Sequence, residues 1–172
     1  MVFQPLPHGA LVDAIESVSQ APVSHCGIVV QRGGQWMVLE AYGTVGYTPL
    51  PDWLRRGRKG NFFACRFKSE VQVDLPKFIA AAESYIGRAY DIRYAFGNVE
   101  IYCSELPYLA YKRVASKPLG QVKKLGEVNW KPNEAFIRAM EGGALPLERR
   151  MITPVDLSQA PELERVHGTE GY

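Results

Sequence analysis

The chain has 172 residues, 47% of them hydrophobic and 22% charged, which suits one soluble globular domain able to bury a core without staples. Its formal net charge of +2 and its scattered basic pairs (Arg55-Arg56, Arg58-Lys59, Lys112-Arg113, Lys123-Lys124, Arg149-Arg150) make no basic stripe, so the pairs read as solvated surface and nucleic acid is not an expected partner. No apolar run approaches the roughly 20 residues of a membrane span, and three cysteines without paired spacing give neither a disulfide framework nor a C-x-x-C zinc site. Nucleotide-binding and metalloprotease motifs are absent, so any chemistry must come from a constellation of side chains, with no cofactor expected.

In chain order, Met1 to Pro7 is short, apolar and Pro-punctuated, an edge strand by expectation. It carries no basic region followed by an apolar stretch, so no signal peptide is expected and the chain as it stands would be cytoplasmic. A chain trimmed from a longer one could belong to the periplasm or cell envelope. Leu11, Ala14, Ile15 and Val18 predict an amphipathic helix over Ala10 to Ser19, ended by Ala21-Pro22. Val23 to Gln31 and Gln35 to Tyr42 are strand-like and are separated by Arg32-Gly33-Gly34, a hairpin signal. With the two glycines as the turn, Arg32 faces Gln35, Val30 faces Met37 and Ile28 faces Leu39. One face, with Cys26, Ile28, Val30, Met37, Leu39 and Ala41, is apolar and belongs in the core. The other carries His25, Gly27, Val29, Trp36, Val38, Glu40 and Tyr42, with His25 and Glu40 as diagonal neighbours about 7–8 Å apart. A one-residue slip would separate them, and Gly27 opposite Glu40 leaves room for a partner. A histidine beside a carboxylate is the base-and-orienter half of a nucleophilic triad. The plainer alternative is a half-exposed surface pair.

The stretch 43–60 reads as loop with a short helix at Pro51 to Arg56, and Asn61 to Phe67 as a strand that packs Cys65 in the core. Asp74 caps a predicted helix from Leu75 that buries Phe78, Ile79, Ala82, Tyr85 and Ile86 and stops at Gly87. Residues 88–100 are an aromatic loop leading into Tyr102-Cys103. Tyr90 and Tyr42, beside the candidate residues, are the candidate substrate contacts. From Glu105 the apolar spacing is helical, and Pro107 is tolerable only in a first turn, so the helix starts near Cys103 or Ser104. Unpaired N–H groups at a helix start favour a thiolate. The alternative is a buried structural cysteine. A short helix at Asn133 to Met140 follows, and from about residue 161 the chain reads as a polar, poorly packed tail holding His167.

Of the possible cysteine–histidine pairings, Cys26 faces the core, Cys65 sits in a Phe-rich strand, and His8 and His167 lie in a turn and a tail without an orienting carboxylate. Cys103 with His25 and Glu40 remains, laid out like a papain-type site with the order inverted. The segments S-H-C-G-I-V-V (24–30), L-E-A-Y-G-T-V-G-Y-T-P-L (39–50), Y-I-G-R-A-Y-D (85–91), Y-C-S-E-L (102–106) and P-L-E-R-R-M-I-T-P (146–154) resemble the YiiX/YebB-like (YaeF-like) branch of the NlpC-type permuted papain-like cysteine hydrolases. The resemblance implies an α+β fold, an antiparallel sheet or small barrel packed against helices, with Cys103 as nucleophile, His25 as base and Glu40 as orienter. It also implies that Tyr102 helps stabilise the oxyanion. The implied activity is cleavage or transfer at an amide or ester through an acyl-enzyme, on a cell-wall peptide or a lipid/acyl substrate. Cys26 stands where relatives carry Thr or another small residue and receives no role. Two alternatives come from other classes: a catalytically silent papain-like module binding a peptide or lipid, and a zinc site. The second has only one histidine and one cysteine converging.

Overall fold

A computed structural model describes residues 1–168. Its elements are β1 (Val2–Gln4), α1 (Ala10–Ser19), β2 (His25–Arg32), β3 (Gln35–Tyr42), β4 (Thr44–Pro49), α2 (Leu50–Arg56), β5 (Phe63–Phe67), α3 (Leu75–Glu83), α4 (Glu105–Ala115), β6 (Lys123–Lys124), α5 (Glu134–Met140), β7 (Arg150–Met151), α6 (Pro154–Ser158) and β8 (Leu163–Gly168). Six antiparallel strands form one sheet in the order β4-β3-β2-β1-β5-β8, and β6 pairs with β7. The sheet is open, so of the two expected shapes the antiparallel sheet holds and the barrel does not.

The β2–β3 hairpin has the expected register, Arg32 opposite Gln35, Val30 opposite Met37 and Ile28 opposite Leu39. Gly33 and Gly34 both take positive φ (54° and 78°), which a two-residue turn matched to strand twist requires. Cys26, Ile28, Val30, Leu39 and Ala41 join the main core, together with Leu106 and Ala110 of α4 and Phe78 and Ala82 of α3. The opposite face is also covered. Trp53 of α2 packs with Val38 and Val2 in a second apolar cluster, and all three are buried.

Four expectations need correction. Thr44–Pro49, read as loop, is strand β4, paired with β3 along its whole length. Β1 is an interior strand rather than an edge, because Val2, Phe3 and Gln4 are all buried and β2 and β5 flank it. The stretch from 161 is not a loose tail over its described part: Leu163–Gly168 pairs with β5 from Phe67–Leu163 to Phe63–Gly168, and residues 169–172 lie outside the described residues. Helix α3 ends at Glu83, so Ile86 falls in a following turn and is 47% exposed instead of buried. Its cap is as expected, with an Asp74 carboxylate oxygen accepting the Lys77 N–H at 3.1 Å.

Candidate active site

Strand β2 starts at His25, and continuing the hairpin ladder by one pair places Gly27 opposite Glu40. His25 and Glu40 therefore share one face, and the His25 Nε2 is hydrogen-bonded to Glu40 Oε2. Both residues are 1% exposed, which sets aside the half-exposed surface pair. The space beside Gly27 is not free for a partner either. A Cβ there would collide with Val38 Cγ1 and stand 3.1 Å from the Leu39 carbonyl oxygen and 3.3 Å from Glu40 Cβ. The missing side chain is what lets β2 and β3 close over the pair.

Glu40 has two further donors. Thr48 on β4 donates to Oε1 at 2.5 Å, and Arg56 at the end of α2 donates to Oε2 at 2.5 Å. The Arg56 guanidinium also lies 3.8 Å above the centre of the Tyr42 ring, whose edge meets His25. Arg56 was read as one of several solvated basic residues; its side chain is 18% exposed, whereas Arg55 stays at the surface beside Asp52. Burial alone would raise the Glu40 pKa, but His25, then Arg56 and Thr48, hold it down at about 2.

With Nε2 engaged, Nδ1 of His25 is left for Cys103. Cys103 lies in the turn before α4, just ahead of its cap residue Ser104, and the first turn of the helix contains Pro107 as expected. Burial would raise the thiol pKa, yet contacts with Cys26 and His25 bring it well below the ordinary thiol range. Burial would lower the His25 pKa, and Cys103 and Glu40 raise it to about 9. Both shifts favour a thiolate beside an imidazolium. Burying such charges costs more in desolvation than it returns in stability, so a functional reason for the arrangement is the natural one.

The loop 88–100 reaches the same sulfur. Tyr94 Oη lies 3.6 Å from Cys103 Sγ, Tyr90 Oη donates towards it at 3.8 Å, and the two hydroxyls are 2.9 Å apart. Asp91 organises this loop: its carboxylate accepts the Arg93 and Ala95 N–H groups at 2.8 Å and the Asn98 amide at 3.3 Å. Tyr94 itself holds a positive φ of 53°, uncommon for a bulky residue, and its ring stacks on Tyr102 with centroids 4.3 Å apart.

Tyr102, expected to help stabilise the oxyanion, stands just before the thiol. Its hydroxyl accepts the Ile152 N–H at 3.2 Å in the core, while the phenols at the thiol are Tyr90 and Tyr94. The neighbouring Ser104 hydroxyl donates to the Ile152 carbonyl at 2.7 Å, so the 146–154 segment clamps the start of the cysteine helix. Tyr42 lies 51% exposed at the mouth of the site. A groove of about 520 Å³ opens there, lined by Ser24, His25, Tyr42 and Tyr90 and by the apolar side chains of Leu6, Leu11, Val12, Ile15 and Ile92. Leu11, Ile15 and Ile92 also line a second apolar pocket closed by Phe136, Ile137 and Met140.

A family described as permuted papain-like amidase enzymes of the YaeF/YiiX type matches residues 1–167. The chain belongs to this family. It is 30% identical over 169 residues to the uncharacterised protein YiiX of Escherichia coli, covering 96% of this chain and 83% of that one. A crystal structure of YiiX from Escherichia coli, described as a metalloprotein, superposes with a TM-score of 0.90 at 28% identity, over 98% of this chain and 95% of that one. In the present protein, no group of three or more His, Cys, Asp or Glu side chains among the described residues is placed to hold a metal ion. No helix among the described residues is long and apolar enough to cross a membrane. Sequence reasoning missed Thr48, Arg56 and Tyr94; nothing in their local pattern separates them from ordinary surface or core positions.

Proposed function

We propose that this family member is a thiol hydrolase or acyltransferase acting through Cys103, His25 and Glu40. The observation that supports it is the unbroken run of contacts from Arg56 and Thr48 through Glu40 and His25 to a buried thiol at a helix start. The Cys103 thiolate attacks an amide or ester carbonyl, and the carbonyl oxygen takes up negative charge at the N-terminus of α4. The Cys103 backbone N–H and the Tyr94 hydroxyl, 3.6 Å from the sulfur, are the donors nearest to hand. The imidazolium then gives its Nδ1 proton to the leaving amine or alkoxide, and the neutral ring removes a proton from water or another acceptor that releases the acyl group. Glu40, through Nε2, fixes which nitrogen faces the sulfur.

Cys103 has no exposed surface, and the groove ends on Ser24, His25 and Tyr90, the groups that cover it. Substrate therefore enters along the groove and displaces the Tyr90 side chain. Apart from His25 the groove carries no charged side chain, and it shares Leu11, Ile15 and Ile92 with the pocket at Phe136 and Met140, whose rim holds Arg93, Glu141 and Arg149. That favours an amide or ester of a long apolar acyl group over a polar cell-wall peptide.

The test is incubation of the wild type and Cys103→Ala with N-acyl amino acids, phospholipids and peptidoglycan fragments. Cys103-dependent release of fatty acid is the expected result. Product from peptidoglycan alone would overturn the acyl reading. No product in any class, together with alkylation of Cys103 no faster than free cysteine near pH 6, would leave a silent binding module instead.

A further inference from the structure

A second, smaller cavity of about 70 Å³ lies beside the groove at the thiol. Leu11 and Ile15 of α1 and Ile92 of the 88–100 loop are walls of both. Tyr94 lines the small cavity too, and its hydroxyl stands 3.6 Å from the Cys103 sulfur, so a single residue touches both the cavity and the nucleophile. The far wall is α5, which turns Phe136, Ile137 and Met140 to the cavity although none of its residues is buried. The end of this helix is tied down. Both carboxylate oxygens of Glu141 accept from Arg149, at 2.5 and 2.8 Å, and Arg149 also donates to the Arg93 carbonyl at 2.9 Å. Apart from that ion pair and the exposed Arg93 at the rim, every wall is a hydrophobic or aromatic residue.

We propose that this cavity receives the end of the substrate's acyl chain, and that α5, through Phe136, Ile137 and Met140, sets the length of chain the protein accepts. A space walled in this way offers few partners to a water molecule or a polar side chain, and burying a polar group without a partner is costly. Each CH₂ moved into it from water gains about fourfold in affinity. Its volume of about 70 Å³ is roughly twice the 30 Å³ share of a water molecule in the liquid, so it takes about two or three carbons. The groove of about 520 Å³ takes the rest of the chain. A chain that stops short leaves the cavity unfilled. One that is too long meets α5, whose anchorage through Glu141 and Arg149 to the loop carrying Tyr90 and Tyr94 resists its displacement. The excess is pushed back along the groove and draws the carbonyl away from Cys103.

The inference rests on the reading of an acyl substrate, and a binding experiment separates it from turnover. Saturated fatty acids from butyric to palmitic acid are titrated against anilinonaphthalene sulfonate bound to Cys103→Ala, alone and combined with Met140→Trp or Phe136→Ala. The expected result is an affinity that rises about fourfold for each added CH₂ up to one chain length and then stops rising. Met140→Trp moves that break to a shorter acid and Phe136→Ala moves it to a longer one. Phe136 and Met140 are only partly buried, so both variants should fold, which circular dichroism checks. If one does not, the shift in the other decides alone. A break at the same length in all the proteins would overturn the proposal, as would an affinity that climbs without a break. Folded Cys103→Ala that binds none of the acids would overturn both the proposal and the acyl reading. A break that moves as expected, with no Cys103-dependent release by the wild type, would defeat the hydrolase reading and leave the subsite.

Discussion

At the scale of single residues, Cys103 and then Glu40 set the pH behaviour of His25. His25 has a pKa raised to about 9, so in the proposed reaction the imidazolium needed to protonate the leaving group persists up to that pH and is lost above it. The kcat/KM profile should fall off at about pH 9 on its basic side and, on its acidic side, at the lowered pKa of Cys103. Glu40→Gln removes a contact that raises His25, so the basic limb should move down towards the ordinary imidazole range. The same change should cut kcat/KM by about 10²–10⁴-fold, because the base loses its fixed orientation. A limb that stays near 9 in this variant would mean that Glu40 does not act through His25. Tyr102 offers a second test. Tyr102→Phe leaves the buried Ile152 N–H without its acceptor, so unfolding should become easier by about 1–3 kcal/mol. Its kcat/KM should fall far less than the roughly 10²–10³-fold that loss of an oxyanion donor costs. A rate loss of that size with unchanged melting would return Tyr102 to the oxyanion.

At the scale of elements, the β2–β3 hairpin and α2 act as one clamp on the histidine. Strand β2 carries His25, β3 carries Glu40, β4 brings Thr48, and the turn into α2 brings Trp53 and Arg56 over the same face. The closeness of β2 and β3 depends on Gly27. Gly27→Ala should destabilise the protein by about 1–3 kcal/mol, measured by chemical denaturation, since the added methyl meets Val38 and the Leu39 backbone. Because Glu40 Cβ lies on the same side, labelling of Cys103 at pH 6 should slow in this variant as well. Normal stability and normal labelling would show that the strands can part without cost.

At the scale of the whole molecule, the segment 146–154 is held against the cysteine helix from the far end of the chain, and the buried Glu105 stands in the same region. Burial pushes its carboxyl up to about 7 against the backbone N–H of Tyr102, and the negative charge of the nearby Asp91 pushes the same way as burial. A carboxyl whose folded pKa is raised binds a proton that the unfolded chain has released. Stability therefore falls as pH rises from about 4.5 to about 7 and stays lower above that. Glu105→Gln removes the penalty. It should raise stability by about 1–3 kcal/mol at pH 8 and leave it nearly unchanged at pH 4, read from paired melting curves. An equal gain at both pH values would point to packing rather than charge.

The hairpin and its register were legible in the sequence because a strand's side chains alternate with period two and a Gly-Gly turn admits few geometries. From these alone His25 and Glu40 come to one face, and the helix start at Cys103 follows from Pro107 and the apolar spacing. The place of the chain's ends in the sheet was not legible: β1 reads as an edge strand and β8 as a loose tail, and only pairing with β5, about 60 and 100 residues away, makes the first interior and the second a strand. The same holds for Arg56, Thr48 and Tyr94. Each looks ordinary in its own stretch, and each acquires its place at the site through contacts between elements distant along the chain. Local pattern determined which groups could do the chemistry. Tertiary packing alone decided that they are buried together and that Tyr90 and Tyr94 meet the sulfur.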